Sequence, residues 1–172
     1  MTVRDVKVLE FLTDFKIART TSIATLFFEN RIRVAQRRLQ RMEKDRLIKH
    51  VNENGYVYYT DLPKQYIHSI ALTDYIAHLS KVHKIENMKH EYKHGSIRVD
   101  ALVTLDGSPT FIEMQLSGAP DVGKFLKYKV SKEWEKEFTK FPNIRIVGNP
   151  PPQNYGLNIV SDCPKSCTYA IR

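Results

Sequence analysis

The feature that most constrains this chain lies between residues 31 and 49. Over nineteen residues it carries Arg31, Arg33, Arg37, Arg38, Arg41, Lys44, Arg46 and Lys49 against only Glu43 and Asp45, so this stretch holds most of the net charge of +8. Within it, Ile32, Ala35, Leu39 and Met42 recur in steps of three and four, the spacing of a narrow apolar stripe on one helix face. At about 100° per residue, Arg33, Arg37, Arg41 and Lys44 fall opposite that stripe, with Gln36 and Gln40 along one flank. The spacing predicts a helix after Asn30 that docks by its apolar side and turns its cations outward.

The flanking sequence supplies what such a helix docks against. Val6, Leu9, Phe11, Leu12 and Phe15 follow Thr2, a hydroxyl N-cap, and predict a first helix to about residue 14. After residues 16–19, Thr20, Thr21 and Ser22 offer caps for a second helix over residues 23–28. After the cationic helix, residues 48–51 and 56–60 alternate around Asn52-Glu53-Asn54-Gly55, and Asn-Gly supplies the positive φ that a tight hairpin turn needs. Three helices and a two-stranded ribbon over residues 1–62 are the layout of a winged helix-turn-helix.

A helix held in this way fits the major groove of duplex DNA. Arg33 and Arg37 can pair bidentately with guanine, and Gln36 and Gln40 with adenine. Arg41, Lys44 and the hydroxyls of Thr20, Thr21 and Ser22 are expected at phosphates, Asn52 and Asn54 at the minor groove or backbone, and Arg31 is a further expected DNA contact. The expected partner is double-stranded DNA. A homodimer is expected from the two-fold symmetry of typical operator sites. A solvated cationic face and a protein-docking module are the competing readings of the same helix.

Residues 63–150 have a different pattern. Pro63 opens a segment in which Tyr66, Ile67, Ile70, Ala71, Tyr75, Ile76 and Leu79 predict a helix over residues 64–81. Strands are expected at 85–92, 97–105 and 110–115, separated by His94-Gly95 and Asp106-Gly107-Ser108-Pro109. A helix over 122–138, with Phe125, Leu126, Val130, Trp134 and Phe138, and a strand over 144–147 complete an αβββαβ order, making the whole chain α+β. Asp100 and Glu113 fall on neighbouring strands, and Gln115 shares the Glu113 face by the period of two. Paired carboxylates of this kind can bind Mg²⁺, which lowers the pKa of a water and neutralises charge in phosphodiester hydrolysis.

This arrangement resembles the PD-(D/E)XK nuclease fold, whose pattern places an Asp on the second strand and Glu-x-Lys on the third. Asp100 and Glu113 match, and Gln115 stands at the lysine position. The chain to about residue 150 is also similar to the replication-relaxation family of plasmid and phage proteins. The matching residues are Thr20-Thr21-Ser22-Ile23-Ala24, the Ala35 to Leu39 stretch, Arg46-Leu47-Ile48, His68, Val99-Asp100-Ala101-Leu102, Phe111-Ile112-Glu113, Lys124 and Tyr128. The resemblance implies a winged helix joined to a nuclease-like domain and a task in phage or plasmid replication, mobilisation or transcriptional regulation, with replication or mobilisation proteins as further partners. The alternative it leaves open is a Mg²⁺-dependent nicking endonuclease that uses Asp100, Glu113 and Gln115, with Asp100 and Glu113 as metal ligands. In the principal reading the second domain is a scaffold and no cofactor is required.

Lys124 and Lys127 are weighed as displaced catalytic lysines against a solvated helix face, and the solvated face is preferred. His68, His78, His83, His90 and His94 lack ligand spacing and read as ordinary surface or packed residues. The two cysteines, Cys163 and Cys167, are expected to be reduced thiols, because zinc wants about four ligands. Arg4, Asp5, Lys7 and Glu10 stand where a signal peptide is apolar, and no apolar run is long enough for a membrane span, so a cytoplasmic protein without a membrane partner is expected. Residues 151–172 read as a proline-rich linker and tail, with edge strands expected at 155–160 and 168–171.

Overall fold

Thr2 starts the first helix as its sequence suggests. Its hydroxyl accepts from the Asp5 N–H at 3.3 Å while the Asp5 carboxylate accepts from the Thr2 N–H at 2.6 Å, a reciprocal cap that satisfies two otherwise orphaned donors. From there α1 (Val3–Phe15) buries Val8, Phe11, Leu12 and Phe15. The computed structural model describes residues 1–64, 66–149 and 156–162. They form a mixed α+β protein that divides into two units, Met1–Val82 and His83–Arg172.

In the first unit, α1 is followed by β1 (Ile17–Arg19), α2 (Thr20–Phe27), α3 (Ile32–Lys44), β2 (Lys49–Asn52), β3 (Tyr56–Tyr59) and α4 (Tyr66–Leu79). Glu29 (φ 54°) and Asn30 (φ 62°) take successive left-handed conformations that turn the chain between α2 and α3. Ala35, Leu39 and Met42 of α3 are buried as expected, but Ile32 at its start is 44% exposed, so the apolar stripe is covered over its last two turns only. The hairpin turn carries Asn54 (φ 52°) and Gly55 (φ 119°), and the Gly55 N–H donates to Asn52 Oδ1 at 3.2 Å.

Two expectations are corrected here. The ribbon is not two-stranded: β1 pairs antiparallel with β3, giving a three-stranded sheet of order β1-β3-β2. A three-residue strand buried on both faces has no alternation to betray it, and its pairing lies some forty residues away along the chain. The helix expected to open the second domain belongs to the first unit, so the boundary falls at 82/83 rather than 62/63. Ile70, Ala71, Leu72, Tyr75 and Ile76 of α4 are all buried, and α4 packs on β1 and α2. Its Asp74 accepts from Arg19 Nε at 3.1 Å and from the Ser22 hydroxyl.

The second unit is built on a five-stranded sheet of order β10-β9-β8-β7-β4, from β4 (Ile85–His90), β7 (Ala101–Leu105), β8 (Ser108–Gln115), β9 (Asn143–Gly148) and β10 (Ile159–Asp162). β4, β7 and β8 run antiparallel as a meander, while β9 is parallel to β8 and β10 to β9. The Asp106-Gly107 turn between β7 and β8 has φ of 48° and 78°. Between β8 and β9 the chain crosses over through α5 (Gly123–Ser131) and a short 3₁₀ helix (Glu133–Lys136), as a parallel connection requires. Phe111 lies centrally in the core, against Tyr92, Phe125, Tyr128, Ile144 and Ile146.

The strand expected at 97–105 is interrupted. β6 (Ile97–Arg98) pairs with β5 (Lys93–His94) as a separate ribbon, and β7 begins beyond Val99 and Asp100. The helix expected over 122–138 breaks at Lys132, whose φ of 56° is left-handed. The tail strand expected at 155–160 is found at Ile159–Asp162, on the edge of the sheet. Cys163, Cys167, the strand expected at 168–171 and the proline segment from Pro150 lie outside the described residues. Among the described residues, no helix is long and apolar enough to cross a membrane.

Candidate nucleic-acid interface and paired-carboxylate site

The buried side of α3 decides which of its cations face outward. With Ala35, Leu39 and Met42 inward, Arg33, Arg37, Gln40, Arg41 and Lys44 are exposed and Gln36 is half-buried. Arg33, Arg37 and Lys44 have no acidic partner among the described residues. Arg41 pairs with Asp45 at 3.1 Å, and Arg31 with Glu29 at 3.0 Å, both exposed pairs that exchange readily with water. Arg38 is different. It turns under the helix onto Asp5, its Nε 3.0 Å from Oδ1, and joins α3 to α1.

The α2 hydroxyls divide. Thr21 is exposed, but Thr20 is buried and donates to the Tyr56 carbonyl at 3.0 Å, and buried Ser22 donates to Asp74. Thr20 and Ser22 therefore hold α2 against the hairpin and α4 instead of facing solvent. Asn52 and Asn54 are both exposed at the hairpin tip. His50 joins this surface, 37% exposed on β2, with Nδ1 2.5 Å from Glu43 Oε1. Sequence reasoning passed over it. Its signal was its place two residues before Asn52, on the same face of the strand.

The second constellation lies in the other unit. Asp100 sits in the link between β6 and β7, and its Oδ2 accepts from the Met114 N–H at 2.7 Å. Glu113 on β8 is mostly buried, and Lys124 Nζ of α5 stands 2.5 Å from its Oε1. Its other oxygen, Oε2, is buried without a hydrogen-bond partner among the described residues. Burial pushes the Glu113 carboxyl above the ordinary range and the Asp100 charge adds to this, while Lys124 and the Asp100 backbone act in the opposite direction. The two expected acids are thus electrostatically coupled.

Gln115 does not join them, since its side-chain amide donates to the Ser117 carbonyl. The cation that meets Glu113 is Lys124, whereas Lys127 is exposed on the solvated side of α5. The carboxylates of Asp100 and Glu113 are hard oxygen donors of the kind Mg²⁺ takes, and the unpartnered oxygen is one of the two on Glu113. Among the described residues, no cluster of three or more His, Cys, Asp or Glu could hold a metal ion. Of the scattered histidines, His94 meets the Tyr128 hydroxyl at 2.7 Å and His83 meets Asp106 at 2.7 Å, hydrogen bonds within the second unit.

No family model matches the chain, and no curated protein matches it. Among solved structures it is similar to protein VC1899 from Vibrio cholerae, with 12% identity and a TM-score of 0.37, over 91% of this chain and 46% of that one. The chain spans less than half the length of VC1899, and so slight a likeness carries no argument about fold or activity.

Proposed function

We propose that the first unit is a winged helix-turn-helix that grips double-stranded DNA, with α3 in the major groove and the β2–β3 hairpin on the flanking backbone. The observation that carries the reading is the exposed face of α3, where Arg33, Arg37 and Lys44 have no acid to neutralise them among the described residues. A merely solvated face gains from interspersed acids. This one leaves its charge for a polyanion, whose condensed counterions are released on contact. Arg33, Gln36, Arg37 and Gln40 read base edges, and Arg31, Arg41, Lys44, Thr21, Asn52 and Asn54 hold phosphates. The second unit is a nuclease-like scaffold. The role follows the resemblance to the replication-relaxation family: replication, mobilisation or transcriptional control of a phage or plasmid, by a homodimer.

Fluorescence anisotropy with random-sequence duplexes at 50 and 200 mM salt tests this. Binding that weakens about 10³-fold or more across that range is expected for six or more phosphate contacts. No binding at either salt, or binding indifferent to salt, overturns the reading.

A second reading has its own support in the second unit. The Asp100–Glu113 pair, with Lys124 against Glu113, favours a Mg²⁺-dependent endonuclease in which Lys124 takes the place left by Gln115. When bound, Mg²⁺ would supply charge neutralisation and a more acidic water. Asp100 and Glu113 would ligate it, and Lys124 would hold a proton and a positive charge at Nζ beside the scissile phosphate. Nicking of supercoiled plasmid with Mg²⁺ or Mn²⁺ that is lost in Asp100→Ala and Glu113→Ala supports the enzyme. An intact plasmid with retarded mobility supports the binder.

A further inference from the structure

Arg19 closes β1 and is only 9% exposed, a guanidinium almost withdrawn from water. Its backbone pairs with Val57, the last position at which β1 backs the hairpin, so residues 52–56 run on past that strand. The Arg19 side chain continues where the backbone pairing stops. Its Nη1 donates to the Glu53 carbonyl at 2.6 Å and lies 3.5 Å from the Asn54 carbonyl, while Nε donates to Asp74 Oδ2 of α4 at 3.1 Å. Asp74 also accepts from the Ser22 hydroxyl of α2, the helix that packs on α3. One guanidinium thereby ties the hairpin turn to α4 and α2, and through α2 to α3. Asn52 and Asn54, on either side of Glu53, are exposed. Asn52 Oδ1 accepts the Gly55 N–H, so its Nδ2 is the donor it can offer a ligand.

We infer that Arg19 is a positioning residue of the proposed DNA interface: by holding the Glu53 and Asn54 carbonyls inward, it aims the Asn52 and Asn54 amides at the phosphodiester backbone. The inference rests on the DNA-binding reading of the first unit and adds to it a residue that does not itself touch DNA. Ordering a loose turn on binding subtracts from the affinity of the contacts it carries, so a turn fixed beforehand gains more from the same two amides. The planar guanidinium suits this task because its donors point in fixed directions, Nε toward the carboxylate and Nη1 toward the turn. A lysine ammonium is a compact charge on a flexible stem and does not serve both at once. Burial pushes the Asp74 carboxyl up, and the Ser22 hydroxyl and the Arg19 charge draw it back, so the anchor and the guanidinium stabilise each other. The Thr20 hydroxyl on the Tyr56 carbonyl and the Tyr66 hydroxyl on Glu53 Oε1 remain when Arg19 is changed. Its loss therefore loosens the turn and leaves the three-stranded sheet in place.

A double-mutant cycle on the full chain tests this, with affinity measured on the tightest duplex selected from a random pool. In the wild-type background, Asn52→Ala together with Asn54→Ala is expected to weaken binding about tenfold, for two hydrogen bonds to phosphate. In the Arg19→Lys background the same pair is expected to cost less than about twofold, because the amides are already misdirected. Arg37→Ala should cost the same factor in both backgrounds. A general loss of folded protein lowers affinity without changing what either group of residues contributes, so the cycle separates aiming from mere stability. Asp74→Asn, which keeps the side-chain volume and a partner for Ser22, repeats the cycle from the other end of the bond should Arg19→Lys fail to fold. An asparagine pair whose cost is undiminished, or that costs nothing in the wild type, overturns the inference and leaves DNA binding intact. So does a cost of Arg37→Ala that falls together with that of the asparagines. No duplex binding by the wild type overturns the underlying reading and this inference with it.

Discussion

Arg38 Nε of α3 stands 3.0 Å from Oδ1 of Asp5, a carboxylate only 1% exposed in the first turn of α1. Asp5 therefore has two roles, closing the helix cap with Thr2 and receiving the one α3 arginine that turns inward. Burial by itself raises the Asp5 carboxyl, but the bonds from Arg38 and Thr2 outweigh it and bring it down to about 2.

Removing Arg38 leaves a buried carboxylate without its cation. Because the guanidinium is 36% exposed, the cost of Arg38→Ala is discounted from that of a fully buried pair to about 2 kcal/mol. The depressed pKa gives stability that is present above the ordinary aspartate range and lost as pH falls toward 2. Urea unfolding between pH 6 and 2 should show that loss in the wild type, and Asp5→Asn should flatten it. A wild-type curve with no greater loss than Asp5→Asn would refute the linkage.

On the proposed DNA interface, Arg33 and Arg37 are assigned to bases and Lys44 to a phosphate. Arg33→Ala and Arg37→Ala are expected to cost about 1–3 kcal/mol each on a preferred site and to relax its sequence preference. Lys44→Ala should weaken all duplexes alike and lower the salt slope by about one. Competition binding against randomised duplexes distinguishes the two patterns.

In the endonuclease reading, the buried Glu113 oxygen predicts a stability response to divalent cation. At tenfold over its dissociation constant, bound Mg²⁺ or Mn²⁺ is expected to stabilise the protein by about 1.4 kcal/mol. Thermal melts with and without the ion should show the shift in the wild type. Glu113→Gln should abolish it, and Lys124→Ala should enlarge it by releasing Oε1. The raised Glu113 pKa means that ion binding strengthens as pH rises and the carboxyl ionises. An identical shift in Glu113→Gln would place the ion elsewhere.

Gly148 ends β9 where the chain passes Gln115 closely. A Cβ there would stand 2.2 Å from the Gln115 carbonyl oxygen, and its φ of 108° is one that side chains rarely adopt. Gly148→Ala is expected to cost about 3 kcal/mol. Gly118→Ala, whose nearest contact is 3.8 Å, should cost only about 1 kcal/mol. Melting curves of the two variants check the difference.

Much of the local structure was legible in the residues. The Thr2 cap, the Ala35–Leu39–Met42 stripe and the Asn54-Gly55 and Asp106-Gly107 turns each depend on neighbours a few positions apart, and all are present. So is the placement of Glu113 on β8, whereas Asp100, expected on the strand beside it, lies in the link before β7. The break at Lys132 was not legible, because apolar spacing continues through it to Phe138.

What the sequence alone determined was periodicity and capping, and with them the outward cationic face of α3, since apolar side chains fix a helix's rotation by seeking burial. Tertiary structure decided what each element meets. Arg38 and Lys124 read as two cations among many until folding set one on Asp5 and the other on Glu113. β1 is a strand because β3 lies beside it, and α4 joins the first unit because its apolar surface and Asp74 find partners there. Such pairings are made between positions far apart in the chain, where burial and charge select the partner and local spacing carries no record of it.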